Sequence, residues 1–294
     1  SLFVLATVTF FLVRLIPGSP FQNGGVSDQV VEAVEEEYGL NEPLFDQYLT
    51  YMGNLVHGDL GVSYQEPDTT VAEIIGRTWP VTVSLGLAAL LAAVVLGTGL
   101  GILRAVSKSR IVREGILAGG MLAAGIPNFA VAILLLLVFS VKLGWFPAAG
   151  LLTPAHYVLP VISLALYPAA VISRLTGNTL SAELGKQYVM FARAKGLGRG
   201  RIIFTHALKN AWIPVLNYVG PASAFLLTGS FVVESIFTIP GLGREFVSSI
   251  TNRDYTLILG LTVFMGMVVI LVNLVTDLVC AWMDPRMRRS YRGR

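Results

Sequence analysis

The chain has 294 residues, 54% of them hydrophobic and only 13% charged, with a mean hydropathy of +0.69. That balance excludes an ordinary soluble domain and a disordered chain, both of which need far more polar surface. The net charge is +3, and the lone cysteine, Cys280, excludes an internal disulfide.

Crossing about 30 Å of hydrocarbon takes roughly 20 apolar residues. Residues 1–16 are apolar but too short, and are read as the outer part of a first helix that starts before Ser1. The alternative, a signal peptide, lacks a small-residue cleavage site, because Ile16-Pro17-Gly18-Ser19-Pro20 follows. Residues 17–79 form the only sizeable segment outside the membrane. Within it, 30–38 is acidic with helical periodicity, and 43–55 places Leu44, Tyr48, Tyr51 and Leu55 at helical spacing before a turn at Gly58-Asp59-Leu60-Gly61. A small helical cap is expected there. Five further runs, 81–103, 115–141, 157–178, 211–237 and 255–283, are long enough to span, which makes six spans in all.

Charge gives the orientation. Residues 104–114, 181–209 and 284–294 together hold 15 Lys/Arg against 3 acidic residues, whereas 17–78, 142–156 and 238–254 hold 4 against 13. The positive-inside tendency places the first set, and both termini, in the cytoplasm. The basic pI of about 9.0 then reflects topology rather than nucleic-acid binding.

No catalytic constellation is present. His57, His156 and His206 fall on different sides of the membrane, and there is no His-x-x-Glu-His, Cys-x-x-Cys or Gly-x-Ser-x-Gly. Gly196-Leu197-Gly198-Arg199-Gly200 has no preceding strand and no Gly-Lys-Ser/Thr ending. Gly185-Lys186 is followed by Gln187 and has Leu180 where a phosphate loop needs glycine. The chain is therefore expected to bind no metal, cofactor or ATP of its own and not to be an enzyme; active transport would draw on a partner or an ion gradient.

The loop 181–209 carries the strongest signal. In it, Tyr188, Phe191, Ala192 and Lys195 lie at i, i+3, i+4 and i+7, one side of a two-turn helix. Gly196 suits a left-handed stop and Lys195 suits the helix dipole. Ala192 and Ala194 would permit close approach of another protein, and Tyr188 and Phe191 would fill a cleft on it. A basic helix held on anionic lipid is the plainer alternative, but lipid attraction needs neither the alanines nor the glycine.

The run Gln187-Tyr188-Val189-Met190-Phe191-Ala192-Arg193-Ala194-Lys195-Gly196-Leu197, with His206-Ala207-Leu208-Lys209-Asn210-Ala211 and Pro214, resembles the coupling loop of binding-protein-dependent ABC importer permeases of the dipeptide/oligopeptide (peptide/nickel) type, B-type subunit. The generic Glu-Ala-Ala-x-x-x-Gly motif is met only by Ala192 and Gly196, Met190 and Phe191 standing at the other two positions. Further likeness lies at Leu15–Pro20, at Gly229-Ser230-Phe231-Val232-Val233-Glu234 with Ile239-Pro240-Gly241-Leu242-Gly243, at Asn252-Arg253-Asp254-Tyr255 and at Asp284-Pro285-Arg286-Met287-Arg288. Ser19 and Thr256 stand where Asp and Pro are common.

The resemblance implies an all-α, type I (MetI-like) permease bundle of six transmembrane helices. Its parts would be a truncated first helix 1–16, an extracytoplasmic cap 17–79, and a five-helix core 80–294 carrying the coupling loop 181–209. It also implies partners: a homologous second permease subunit in a heterodimer, two ATPase subunits that carry ATP and Mg, an extracytoplasmic binding protein, and the lipid of a bacterial cell membrane. Tyr188, Phe191, Ala192, Arg193, Ala194, Lys195, Gly196 and Leu197 would couple to the ATPase.

Polar residues within the spans are candidates for the translocation path, since such groups normally face protein or water. Ser163, Tyr167, Arg174 and Asn178 share one stripe of the fourth span, Ser223, Ser230 and Glu234 one of the fifth, and Asn273 and Asp277 are an i, i+4 pair in the sixth. Tyr167, Asn178, Ser223, Ser230, Glu234 and Asn273 are taken as path residues; hydrogen bonding between helices is the alternative role, and is favoured for Asp277. Nickel and glutathione permeases share these motifs. An ion-coupled transporter would need an internal repeat, and a redox subunit paired intramembrane histidines, and neither is found.

Overall fold

Hydrocarbon offers the backbone no hydrogen-bond partner, so a long apolar run must satisfy its amides within itself, as a helix. The computed structural model describes residues 1–16, 20–21 and 28–283. Among them the chain is helical apart from turns and one isolated antiparallel bridge, Val62 to Thr70. The segments 17–19 and 284–294, including the likenesses at Pro17-Gly18-Ser19 and at Asp284–Arg288, lie outside the described residues.

The helices are α1 (Leu2–Val13), α2 (Asp28–Glu37), α3 (Leu44–Val56), α4 (Val71–Val106), α5 (Arg110–Gly125), α6 (Asn128–Leu135, continued by a π-helical turn Leu136–Lys142) and α7 (Pro154–Leu184). They are followed by α8 (Gln187–Ala194), the turn α9 (Arg199–Arg201) with a π-helical stretch Ile202–Ala207, α10 (Leu208–Ala211), α11 (Ile213–Thr228), α12 (Phe231–Ile236), α13 (Leu242–Thr251) and α14 (Tyr255–Met283).

Among the described residues four helical stretches are long and apolar enough to cross a membrane: Val71–Val106, Pro154–Leu184, Ile213–Ile236 and Tyr255–Trp282. The pair Arg110–Gly125 and Asn128–Lys142 makes a fifth only if its two arms, bent by 97°, count as one span, and Leu2–Val13 is a shorter apolar helix. The uninterrupted run expected over 115–141 is therefore broken. Its cause is local: Ile126 precedes Pro127, whose ring pushes it out of the α region to φ −94°, ψ 124°. The run 211–237 is interrupted as well, at Gly229, whose φ of +99° no side-chain-bearing residue adopts readily.

The chain divides into two compact units, Ser1–Thr82 with Pro240–Val268, and Val83–Ile239 with Val269–Arg294. In the first, Phe10 and Val13 of α1 pack with Tyr255, Ile258 and Leu259 of α14. A second cluster joins Val71, Ile74 and Ile75 to Leu242, Leu257 and Leu261. Asp254 is wholly buried and ties these pieces together. It accepts hydrogen bonds from the Ser63 hydroxyl (2.5 Å) and the Gln65 amide (3.3 Å), and from the Leu257 amide (3.1 Å) at the start of α14.

In the second unit, α4 crosses α7 through glycines. A Cβ at Gly97 would lie 2.7 Å from the Ala169 carbonyl oxygen and 2.8 Å from Ile172 Cβ. One at Gly101 would meet Thr176 Cβ at 2.5 Å and the Ser173 carbonyl oxygen at 2.8 Å. Gly97-x-x-x-Gly101 is the small-residue spacing that lets helix backbones approach where lipid removes the hydrophobic drive.

Candidate functional site

The basic loop builds its exposed helix from both ends. Lys186 is extended (φ −77°, ψ 154°) and starts α8. At the other end Gly196 takes φ +80°, its amide donates to the Arg193 carbonyl (2.9 Å), and the Leu197 amide donates to that of Ala192 (3.2 Å). This pair of bonds is the Schellman stop, and it returns Leu197 to the apolar side of the helix.

Two residues of α8, Val189 and Ala192, are buried, packed with Leu180 of α7, with Ile202, Ile203 and Ala207 of the π-helical stretch and with Ala211 of α10. The hinge between α7 and α8 is held by one carboxylate. Glu183 accepts from the Tyr188 hydroxyl (2.7 Å) and pairs with Lys186 (2.5 Å), while Asn210 donates to the same Tyr188 oxygen (3.4 Å). Burial first, and then its bond to Glu183, raises the Tyr188 pKa, so the phenol keeps its proton as a donor. Arg199 donates to the Val106 carbonyl at the end of α4 (2.9 Å).

This arrangement divides the eight residues singled out in the loop. Phe191, Arg193, Ala194, Lys195 and Gly196 are exposed, Phe191 at 68%. Ala192 is not part of that exposed face: its side chain is buried within the chain's own cluster. Tyr188 and Leu197 are half-buried against the same cluster. Sequence reasoning passed over Met190 and Phe204, apolar side chains of the same loop that are 62% and 63% exposed. The inward set Val189, Ala192 and Leu197 was legible as the more consistently apolar spacing.

The polar residues of the spans are scattered. Tyr167, Arg174 and Asn178 are exposed, but Ser163 is fully buried and its hydroxyl bonds back to the Leu159 and Pro160 carbonyls of its own helix. Ser223 does the same to Gly220 (2.7 Å), Asn273 is half-buried and Asp277 exposed. Of the six path candidates, Tyr167 alone lines a recess of about 540 Å³ in the second unit, formed with Pro127, Asn128, Tyr218, Phe225 and Leu226. Tyr218, which follows Asn217, was missed.

Ser230 and Glu234 are both buried, at the break after Gly229. The Ser230 hydroxyl accepts from the Val233 amide (3.4 Å), and the Glu234 carboxylate accepts from the Ser230 amide (3.2 Å), a reciprocal cap on α12. Removing a buried acceptor strands its donor at a cost of about 1–3 kcal/mol. Glu234→Ala is therefore expected to lower the melting temperature and yield of the purified protein, while Glu234→Gln, which retains an acceptor oxygen, preserves both. Equal melting of all three would show that this cap does not hold the break.

Known proteins match this chain from end to end. Residues 97–289 match the family described as "Binding-protein-dependent transport system inner membrane component", and residues 1–86 match the N-terminal family of the same membrane components. The dipeptide transport system permease protein DppB of Bacillus subtilis is 40% identical, over 100% of this chain and 96% of its own. The oligopeptide transport system permease protein OppB of Haemophilus influenzae is 40% identical, over 98% and 95%. Among solved structures, an inward-facing form of the MetNI methionine ABC transporter gives a TM-score of 0.57 at 18% identity, covering 72% of this chain and 97% of that one. An amino acid ABC transporter crystallised with histidines gives 0.52 at 16%, over 74% and 94%. The fold is thus the one those permeases share, and several of its apolar helices are long enough to span a membrane. With a family match over two-thirds of its length and full-length relatives at 40% identity, the chain belongs to the inner membrane components of binding-protein-dependent transport systems, as a transport subunit and not an enzyme.

Proposed function

We propose that this protein is one permease half of an ATP-driven importer for di- and oligopeptides delivered by an extracytoplasmic binding protein. The observation that carries the reading is α8: a two-turn helix seated on the chain's own core, with Met190, Phe191, Arg193, Ala194 and Lys195 turned outward. Such a helix is built to be gripped by an ATPase subunit. The names of the full-length relatives supply the peptide substrate. A homologous second permease subunit completes the pathway, and two ATPases bind ATP and Mg. In this reading α1 is the outer part of the first of six spans, residues 17–79 form an extracytoplasmic cap, 80–294 form the core, and both termini are cytoplasmic. Tyr167 and Tyr218 face the translocation path, joined by Asn178 and Asn273, while Ser223, Ser230 and Glu234 shape its walls.

Reconstitution tests it. Proteoliposomes holding the assembled complex should accumulate a labelled dipeptide only with ATP and the cognate binding protein. ATP-independent uptake, or uptake of nickel or glutathione in place of peptide, would overturn it. Orientation is tested separately, with the buried Cys280 giving little background. Asp68→Cys should react with an impermeant thiol reagent on intact cells, and Lys108→Cys should not. Both positions are exposed, so the opposite pattern would invert the topology.

A further inference from the structure

Within the second unit, Arg104 of α4 and Arg174 of α7 line one small recess, walled by the apolar Ile116, Leu117 and Met121 of α5 and by Val171 of α7. No carboxylate lines it. Among the described residues neither guanidinium takes part in a salt bridge, and Nη1 of Arg104 is buried without a hydrogen-bond partner. The Arg104 side chain lies across α7 at Gly177, where an added Cβ would come within 3.1 Å of Nη1 and 3.3 Å of Cδ. Arg174 stands one turn earlier on α7, so both cations serve the same face.

Two like charges in an apolar recess repel, and low dielectric magnifies that repulsion until an anion joins them. We propose that the recess binds the phosphodiester of an anionic phospholipid headgroup. Guanidinium forks match phosphate oxygens, each donating paired N–H bonds. The recess, about 30 Å³, is partly open and too small for acyl chains, so the headgroup oxygens would meet the guanidiniums at its mouth. Arg104 lies two residues before the end of α4, where long basic side chains reach headgroup level. Basic pockets between helices on the cytoplasmic side take such headgroups, and placing this one in the inner leaflet rests on the orientation proposed above. Free inorganic phosphate offers the same oxygens and is the rival source.

The test is native mass spectrometry of the assembled, delipidated complex, titrated separately with phosphatidylglycerol, phosphatidylethanolamine and inorganic phosphate. Wild type should retain phosphatidylglycerol about tenfold more tightly than phosphatidylethanolamine, the equivalent of 1.4 kcal/mol. Arg104→Gln/Arg174→Gln should reduce that preference to parity, and millimolar inorganic phosphate should not compete. Should the double variant fail to assemble, Arg174→Gln alone, at an exposed position, should lose at least half of the preference. Unchanged preference in Arg174→Gln overturns the site. Full competition by inorganic phosphate overturns the lipid in favour of a soluble anion. The measurement is made in detergent, so a reversed topology or a failed uptake assay leaves its outcome standing on its own.

Discussion

Gly196→Pro is expected to abolish coupled transport while leaving the chain inserted in the membrane. The native Gly196 has φ +80°, and its amide donates to Arg193. Proline fixes φ near −65° and has no amide hydrogen, so it breaks the stop twice over. A wrong-handed residue costs about 1–2 kcal/mol and a lost hydrogen bond about 1 kcal/mol. Together these shift the closed loop by roughly tenfold or more, and Leu197 then leaves the cluster that seats α8. No heavy atom lies within 4 Å of an added Cβ, so Gly196→Ala meets only the conformational cost, and Gly196→Asn, which tolerates the left-handed region, should come close to wild type. The measurement is ATP hydrolysis and dipeptide uptake by the reconstituted complex, and the expected order is glycine, asparagine, alanine, proline. Wild-type coupling in the proline variant would remove α8 from the proposed ATPase contact.

Gly97→Leu should have the second large effect, on folding rather than coupling. Its Cβ would sit 2.7 Å from a backbone oxygen of α7, and backbone cannot rotate away as a side chain can. Overpacking of this kind costs about 1–3 kcal/mol and often more. Gly99 is the control: it lies two residues on in the same helix, with nothing within 4 Å of its added Cβ, so Gly99→Leu should leave the melting temperature unchanged. The yield and melting temperature of the two purified variants decide the matter. Equal behaviour would mean that α4 and α7 do not cross at Gly97.

Much of this was legible because bilayer thickness imposes length and apolarity on every span. The helices around 81–103, 157–178 and 255–283 follow from that constraint alone, and the Gly196 stop from the conformation that glycine uniquely favours. The kink at Ile126-Pro127 was written in the proline but masked by an apolar run that reads as continuous. The packing of Ala192 was hidden for a different reason. A small residue signals close approach without saying to what, and only the packing of Val189 and Leu180 shows that the neighbour is the chain itself. For Glu234 the sequence shows only a carboxylate in an apolar run, and the bond it accepts from the Ser230 amide is visible only in the fold.

The first compact unit is assembled from residues 1–82 and 240–268, and this has a consequence for synthesis. The ribosome must make everything between them before the later piece exists, on the order of 10–30 s at 5–20 residues per second. Through that interval Phe10 and Val13 wait without Tyr255, Ile258 and Leu259, and Ser63 without the carboxylate of Asp254. Residues 1–82 are thus locked only after 240–268 have been made. A chain cut short anywhere between Thr82 and Pro240 would leave Phe10 and Val13 without the residues that seat α1, and Ser63 without its acceptor.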